Sequence, residues 1–269
     1  MPARCDKAAM PDALLAHTEL ASIESAGLEA SAAPGQRMLD GWLLRLSPGK
    51  AKRARCVNAL AAGHLALGDR IGLCERVYAE AGLPMIVRVT PFSDPPDLDG
   101  VLAQAGLRRF DDTRVMVLPE LRPPADAALP DGVCFESVSG VTVARLVGGL
   151  RGSPSDQCNA HAERLALAPD MWRGLALRRE DGELLACGQV AVSGQLAGLY
   201  DIFTAPAARG RGLARSLCVQ LLGLAGTAGA RRAYLQVEAD NLPARAIYHG
   251  LGFTDAYAYH YRTRDPLAA

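Results

Sequence analysis

Glycines and arginines crowd one short stretch of the chain, between an apolar run and a leucine-rich segment. The stretch runs from Arg209 to Ser216 and holds Arg209, Gly210, Arg211, Gly212 and Arg215. Glycine allows a backbone to come close to a ligand, because no Cβ stands in the way. The guanidinium groups add positive charge around the same point. This combination suits the binding of a phosphate or a pyrophosphate.

The elements on either side of this turn are predicted from spacing. The apolar run 199–204 favours a strand, and Leu213, Leu217, Leu221 and Leu224 recur at helical spacing after the turn. The first backbone N–H groups of a helix have no partner within that helix, and they point together at one place. A strand, a tight glycine turn and a helix would therefore aim several amides at a bound anion.

The pattern of this turn differs from two common phosphate loops. A P-loop needs a Lys that is absent here, and a dinucleotide-binding turn needs glycine where this chain has Arg215. The residues from Arg209 to Ala214 do fit R-x-x-G-x-A, which resembles the coenzyme A pyrophosphate loop of the GNAT superfamily of N-acetyltransferases. By itself the hexapeptide is equally compatible with an ordinary turn that carries solvated arginines.

A second motif makes the resemblance specific. The segment from Asn241 to Phe253 is similar to the GNAT pattern N-x-x-A-x-x-x-Y-x-x-x-G-F, with Tyr248 at the tyrosine position. A strand predicted over 232–238 lies between the two motifs. The resemblance covers roughly residues 132–264, about half of the chain, and identifies it as a member of this superfamily.

The resemblance implies a fold and an activity. The expected fold is of the α+β (α/β) class, with a mixed, mostly antiparallel sheet flanked by helices. The expected reaction is transfer of an acetyl group from acetyl-CoA, as co-substrate, to a primary amine of a small molecule or peptide by direct attack. Two alternatives stay open: a regulatory module that binds acyl-CoA without catalysis, and a transferase that uses a longer acyl-CoA. The acceptor is not named by the sequence.

The resemblance also implies which residues hold the coenzyme. Amides of 211–214 would bind the pyrophosphate, the pantetheine arm would lie along 202–204 like an extra strand, and the Phe203 N–H would polarise the thioester carbonyl. The implied coenzyme-binding residues are Ile202, Phe203, Thr204, Arg209, Gly210, Arg211, Gly212, Leu213, Ala214, Arg215, Ser216, Asn241 and Tyr248. Asn241 also suits an N-cap, and both roles are compatible.

The predicted catalytic residues are Tyr248 and Asp201. By the resemblance, Tyr248 points its hydroxyl at the coenzyme sulfur and acts as general acid, although a tyrosine packed in the core is the alternative. Asp201 is a charged residue inside a predicted strand, which suggests that it faces a cleft and acts as general base. Glu238 is its rival, and either carboxylate could instead bind a cationic substrate.

Other residues of chemical interest receive structural interpretations. His161 and His260 are expected to be surface or packed core histidines, His249 to point away from the site, and Cys218 to pack in the core. Trp172 and residues 153–159 of a loop predicted over 152–159 are candidates for the acceptor pocket; the alternatives are a core anchor and a plain loop.

The first part of the chain has its own predicted order. The elements are a helix over 11–31 broken near Gly27, strands over 40–46, 53–60 and 84–89, helices over 69–81 and 97–107, and a closing strand over 115–118. This order echoes the second half of the C-terminal part but lacks R-x-x-G-x-[GA]. We therefore expect two GNAT-like domains in tandem, the first degenerate, with an unrelated α+β cap domain as the alternative.

The expected organisation has three parts. Residues 1–118 form the degenerate or cap domain, 119–131 a proline-rich linker, and 132–269 the catalytic domain. Further elements predicted in the last part are a strand over 133–138, helices over 141–149 and 160–167, and strands over 174–179 and 184–192.

The overall composition narrows the function classes. The formal net charge is zero, which gives no support for a nucleic-acid or membrane-surface partner, and the basic cluster 50–55 is interpreted as a solvated turn. Seven cysteines without C-x-x-C spacing indicate neither disulfides nor a metal site. The absence of a long apolar run favours a cytoplasmic protein, and a homodimer is compatible with the sequence.

Overall fold

A computed structural model describes residues 15–122 and 129–265. The described strands are β1 (Gln36–Leu39), β2 (Trp42–Arg45), β3 (Val57–Ala59), β4 (Val87–Val89), β5 (Arg108–Leu118), β6 (Val133–Val138), β7 (Trp172–Arg179), β8 (Leu184–Ser193), β9 (Leu196–Thr204), β10 (Arg232–Glu238) and β11 (Thr254–Thr263). The described helices are α1 (His17–Glu29), α2 (Leu67–Glu80), α3 (Leu98–Gln104), α4 (Gly140–Arg151), α5 (Ser155–Ala166), α6 (Leu213–Thr227) and α7 (Leu242–Gly250).

All of these strands join one mixed sheet, in the order β1-β2-β3-β4-β11-β5-β10-β9-β8-β7-β6. The segments β3-α2-β4-α3-β5 and β9-α6-β10-α7-β11 share one connectivity. In each, the first two strands pair in parallel, β3 with β4 and β9 with β10. A helix must cross over to connect parallel neighbours, which is the role of α2 and α6. The repeat predicted from the order of elements is therefore present in the fold.

The two halves exchange their last strands. β5 ends the first half but lies between β10 and β11, and β11 ends the second half but lies between β5 and β4. Both contacts are antiparallel and long: β10 pairs with β5 from Ala233 to Glu238, and β11 follows β5 from Thr254 to Thr263. The sheet is therefore continuous through both predicted domains. Part of the predicted linker, residues 123–128, lies outside the described residues.

Two local predictions were wrong in the first half. The strand predicted over 40–46 corresponds to β2, but its first two residues, Asp40 at φ 43° and Gly41 at φ 84°, instead form a hairpin turn to β1, which was not predicted. Asp-Gly with both φ values positive is the turn that suits the twist of paired strands. α1 continues through Gly27, where an added Cβ would lie 2.9 Å from Nε2 of Gln236. Close packing, not a helix break, explains that glycine.

A prediction in the second half was also wrong. The loop predicted over 152–159 is largely helical, because α5 begins at Ser155. Gly152 ends α4 in the left-handed conformation, with φ 64°. The chain then passes through Pro154 directly into the next helix, so the polar composition that suggested a loop belongs to the exposed face of α5.

The helices cover opposite faces of the second-half sheet. Leu213, Leu217 and Leu221 of α6 pack with Tyr248 of α7 and with Leu199 of β9 in one core cluster. On the other face, α1, α4 and α5 contribute Ala30, Ala144, Ala162 and Leu165 to a second cluster with Trp172. Within the described ranges, no helix combines the length and apolarity that a bilayer crossing requires.

A buried ion pair attaches α1 to the sheet. Glu24 of α1 forms a two-point contact with Arg88 of β4, including an Nη2–Oε2 distance of 3.0 Å, and its carboxylate also accepts a hydrogen bond from Tyr257 at 2.6 Å. The Arg88 guanidinium lies 3.9 Å from the centroid of the Tyr259 ring. Because Tyr257 and Tyr259 belong to β11, this cluster joins α1 to both halves.

Replacing Glu24 by Ala should lower the free energy of unfolding by about 3–5 kcal/mol, because it leaves the Arg88 charge buried without its partner. Chemical denaturation measures the change. Glu80→Ala, at an exposed position of α2, is the matched control and should stay within about 0.5 kcal/mol of the parent. A loss below about 1 kcal/mol for Glu24→Ala would show that the pair does not hold α1 in place.

Candidate active site

The parallel strands β9 and β10 separate halfway along their length. Their pairing runs from Leu196 opposite Arg232 to Leu199 opposite Leu235, and no later pair forms among the described residues. β9 still pairs with β8 beyond this point, through Phe203 and Thr204. The edge of β9 that faces β10 therefore presents unpaired backbone groups over residues 200–204, which an extended ligand could bind as a strand does.

A bulge in β9 marks the point of separation. Asp201 has φ 54°, and the register against β8 shifts between Cys187 and Gln189. A positive φ is uncommon for a residue with a side chain, and bulges often redirect side chains next to active sites. Here the bulge turns Asp201 toward α5, which lies on the face opposite α6.

The glycine turn has the geometry predicted for an anion site. Gly210 and Gly212 have φ 76° and 75°, and Gly212 is the N-cap of α6. A Cβ on either glycine would meet nothing within 4 Å, so the space in front of the backbone is open. In the described part of the chain, the amides from Gly210 to Ala214 donate to no carbonyl group. Leu213 is buried in the core and anchors the turn.

Arginine side chains surround this turn. Arg211 and Arg215 are exposed, and Arg209 donates from Nε to the carbonyl of Thr204 at 3.4 Å. The guanidinium groups of Arg209 and Arg151 lie 5.7 and 5.1 Å from the centroid of the Phe203 ring. Ser216 is in the first turn of α6, so the predicted loop residues form one cluster.

A cavity of about 430 Å³ opens where β9 and β10 separate. Its walls come from α4, α5, α7, β9 and β10, together with β11 and residues 47–53 of the first half. Ile202, Asn241, Tyr248, Asp201 and Glu238 all line it. Asn241 also caps α7, since its Oδ1 accepts from the Ala244 amide at 3.3 Å. Both interpretations of Asn241 are thus compatible with its place.

The basic cluster at 50–55 is not a solvated turn. Lys50, Lys52 and Arg53 line the cavity, and Lys52 pairs with Asp111 at 2.9 Å. Arg53 is half-buried and donates from Nη1 to Oε1 of Gln236 at 2.8 Å and to the Tyr259 hydroxyl at 3.2 Å. The sequence could not show this, because Gln236 and Tyr259, which accept from Arg53, lie 183 and 206 positions away in the chain.

Tyr248 sits in the core and reaches the cavity at the same time. It is 9% exposed, and its ring packs edge-on against Phe253 at 6.1 Å between centroids. Its hydroxyl makes no hydrogen bond with any described residue. Burial, with a smaller contribution from Cys218, raises the pKa of Tyr248 above its usual range. The hydroxyl is therefore protonated at neutral pH and available to a ligand.

Asp201 is tightly bound in its pocket. Its Oδ2 accepts from Nε2 of Gln189 at 2.6 Å and lies 3.2 Å from Nε2 of His161. Burial alone would raise the pKa of Asp201, but its interactions with His161, Arg164 and Arg151 hold it well below its usual range. So acidic a carboxyl group is a weak proton acceptor at neutral pH.

His161 is another cavity residue whose place the sequence analysis missed. It lines the cavity beside Asp201, rather than lying on the surface or packing in the core. Gln157, His161 and Arg164 all line the cavity and recur at i, i+4 and i+7, so they share one face of α5. This polar helix face is the sequence feature that could have indicated His161 as a cavity residue. A loop over 152–159 hides it, because Gln157 is then not on the same helix as His161 and Arg164.

The remaining candidate residues have structural roles. His260 contacts Asp99 at 2.7 Å, and Nδ1 of His249 lies 3.1 Å from the Phe253 carbonyl oxygen, so neither faces the cavity. Trp172 is a core anchor, edge-on to Tyr200 at 5.4 Å. Cys218 is fully buried in α6, where burial raises its pKa to about 12.

Comparison with known proteins agrees with this geometry. Residues 173–253 match the model of the acetyltransferase (GNAT) family. An uncharacterized N-acetyltransferase, YobR of Bacillus subtilis, is 27% identical over 234 residues, which cover 85% of this chain and 92% of that protein.

Two solved structures share the fold. A GCN5-related N-acetyltransferase from Kribbella flavida superposes with a TM-score of 0.65 at 15% identity, over 92% of this chain and 95% of its own. A tandem GNAT protein from the clavulanic acid biosynthesis pathway gives 0.56 at 17% identity, over 76% and 72%.

Asp201→Asn should lower the free energy of unfolding by about 1–3 kcal/mol at pH 7, because it removes the charge that His161 and Arg164 face. Since the folded state depresses the carboxyl pKa, this stabilisation is present above the unfolded pKa of about 3.9 and is lost as the pH falls further. Denaturant unfolding between pH 7 and pH 3 should therefore show the difference between parent and variant shrinking below about pH 4.

The exposed Asp131 provides the control, since Asp131→Asn should leave stability nearly unchanged across this range. A difference for Asp201→Asn that stays constant down to pH 3 would contradict the electrostatic explanation.

Proposed function

Since the chain contains a GNAT acetyltransferase domain and is an acyltransferase of that type, we propose that it transfers the acetyl group of acetyl-CoA directly to a primary amine. One arrangement supports this most strongly. The unpaired edge of β9 and Tyr248 lie at the cavity where the strands separate, and the open glycine turn at the start of α6 follows β9 directly in the chain.

The coenzyme would bind along these three features in order. Amides from Arg211 to Ala214 would hold the diphosphate, with Arg215 and Ser216 as further donors. The pantetheine amides would pair with β9 over residues 202–204, in the place that β10 vacates. The Phe203 N–H would then donate to the thioester carbonyl oxygen and stabilise the negative charge that develops there.

The transfer needs one bond to form and one to break. The amine nitrogen attacks the carbonyl carbon, the carbon–sulfur bond breaks, and the sulfur takes the Tyr248 proton to leave as free thiol. A buried thiolate is costly, so a proton donor at this position lowers the barrier. We assign the proton that the amine loses to His161, whose Nε2 lies 3.2 Å from Oδ2 of Asp201, while Gln189 donates to that same carboxylate oxygen.

The three-part organisation expected from the sequence belongs to this proposal. Residues 132–269 would carry the coenzyme site, and residues 1–118 would be a degenerate GNAT-like domain that supplies one wall of the acceptor cavity through residues 47–53. Support comes from the repeated connectivity and from the shared lining of the cavity.

Incubation of the purified chain with acetyl-CoA and a panel of amines tests the activity, with release of free thiol as the readout. Thiol release that depends on an amine supports the proposal. Tight coenzyme binding without release by any amine would favour the regulatory module. Faster turnover with longer acyl-CoA donors than with acetyl-CoA would favour the third alternative.

Tyr248→Phe should lower kcat by about 10²–10⁴-fold while the Kd for coenzyme A stays within about twofold, because the ring still packs on Phe253 and only the proton donor is lost. Steady-state kinetics and calorimetry measure the two values. Tyr78→Phe is the control, since the Tyr78 hydroxyl donates to the Arg45 carbonyl at 2.8 Å inside the first-half core. Equal losses in kcat and in coenzyme affinity would remove Tyr248 from the proton-donor role.

His161→Gln should lower kcat by about 10²–10⁴-fold, because the amine loses its proton acceptor, and raising the pH should restore part of the rate by supplying neutral amine. Rates measured from pH 6 to pH 10 check this. If His161→Gln is nearly as active as the parent while Asp201→Asn is inactive, Asp201 would be the direct base.

A further inference from the structure

The acceptor side of the cavity carries an excess of positive charge. The cationic side chains in its walls are Lys50, Lys52, Arg53, Arg151 and Arg164, and the carboxylates are Asp111, Asp201 and Glu238. Two of these carboxylates already have partners within the protein. Asp111 contacts Lys52 at 2.9 Å, and Asp201 contacts His161 and Gln189. Glu238 is exposed at the rim. The protein therefore does not neutralise its own cations here.

Arg53 and Arg164 are the half-buried arginines of these walls, whereas Lys50 and Arg151 are exposed. Neither forms an ion pair with a carboxylate among the described residues. Arg164 donates from Nη1 to the Ala30 carbonyl at 2.9 Å, and burial lowers its pKa, an effect that attraction to Asp201 opposes and repulsion from Arg53 reinforces. Arg53 uses Nη1 alone, for Gln236 and Tyr259, which leaves the rest of its fork unbonded. A charge taken out of water is costly unless a counter-charge meets it.

These two arginines are not placed to bind the coenzyme diphosphate. The glycine turn belongs to α6, which covers one face of the second-half sheet. Arg164 belongs to α5 on the opposite face, and Arg53 lies over the ring of Tyr200, 5.8 Å from its centroid, on that same face. A ligand that reaches them approaches the thioester from the side of Asp201 and His161, which is the acceptor side.

We infer that the acceptor is an amine that carries a carboxylate group, held by Arg53 and Arg164 while its amine faces the coenzyme sulfur. This inference rests on the proposed transferase function. A planar guanidinium fork binds a carboxylate by two parallel hydrogen bonds, and two such forks in a half-buried wall fix the orientation of the whole molecule. Lys50, exposed at the edge of the same cavity, adds attraction for an incoming anion.

Matched acceptor pairs test the inference on the full chain with acetyl-CoA. Each common amino acid, β-alanine and 4-aminobutanoate is assayed beside its amide, with thiol release as readout. The best acid should have a kcat/KM at least about tenfold above that of its amide, since charge-assisted hydrogen bonds contribute about 1.5–3 kcal/mol. Amides used as well as the acids would overturn the inference, as would a preference for O-phosphoethanolamine over every carboxylate.

The same assay distinguishes a wrong carboxylate inference from a wrong transferase function. Thiol release with neutral amines alone would sustain the proposed function and reject a carboxylate acceptor. No thiol release with any amine would reject both, whereas amine-dependent release selective for acids supports both.

Two variants test whether Arg53 and Arg164 produce the preference for acid over amide. Arg53→Gln and Arg164→Gln should each reduce the preference for acid over amide by at least about tenfold, mainly through KM, while Arg76→Gln, at an exposed position of α2, should keep it. The increase in Tm that acetyl-CoA produces shows that each variant is folded. Because two arginines are tested, failure of one variant to fold leaves the other informative. A preference that is unchanged in every folded variant would overturn the inference.

Discussion

The separation of β9 from β10 is the constraint on which the rest of the site depends. Parallel strands normally pair along their length, and a strand left without its partner exposes backbone groups at a cost. Here the bulge at Asp201 ends the pairing after Leu199, and the separated strands form the walls of a cavity. Tyr248, His161, Arg53 and Arg164 all line this cavity, and the α6 turn follows the separated end of β9.

The strand exchange gives the first half a structural role, although that half lacks the R-x-x-G-x-[GA] motif. β5 closes the gap beyond β10, since it pairs with β10 from Ala233 to Glu238 while β10 diverges from β9. The first half therefore supports one side of the cavity through β5 and contributes the lining residues 47–53. Removal of that half would expose an edge of β10 and open that side of the cavity to water.

Charge is distributed differently on the two faces of the gap. At the α6 turn, exposed arginines and free amides suit a large anionic carrier that binds and leaves. On the opposite face, Arg53 and Arg164 are partly buried. Interactions with neighbouring side chains there hold the pKa of Asp201 low, so its carboxylate stays charged. Buried charges of this kind contribute specificity more than stability, because their desolvation offsets much of their attraction.

Local features of the chain were sufficient to predict much of this protein. The two motifs, the strands and helices around them and the repeated order of elements follow from periodicity, glycine positions and caps, which act over a few residues. The Asp40–Gly41 hairpin and the start of α5 were missed, although their signals are also local: a turn dipeptide and a polar helix face.

The side of the cavity that carries Asp201, His161 and Arg53 was decided by tertiary structure alone. The exchange of β5 and β11, the turn of Asp201 toward His161, and the burial of Arg53 against Gln236 and Tyr259 all join residues far apart in the chain. A basic turn has the same sequence whether it meets solvent or closes a cavity. Only the packing of the two halves determines which of these it does, because burial depends on what the rest of the chain places opposite it.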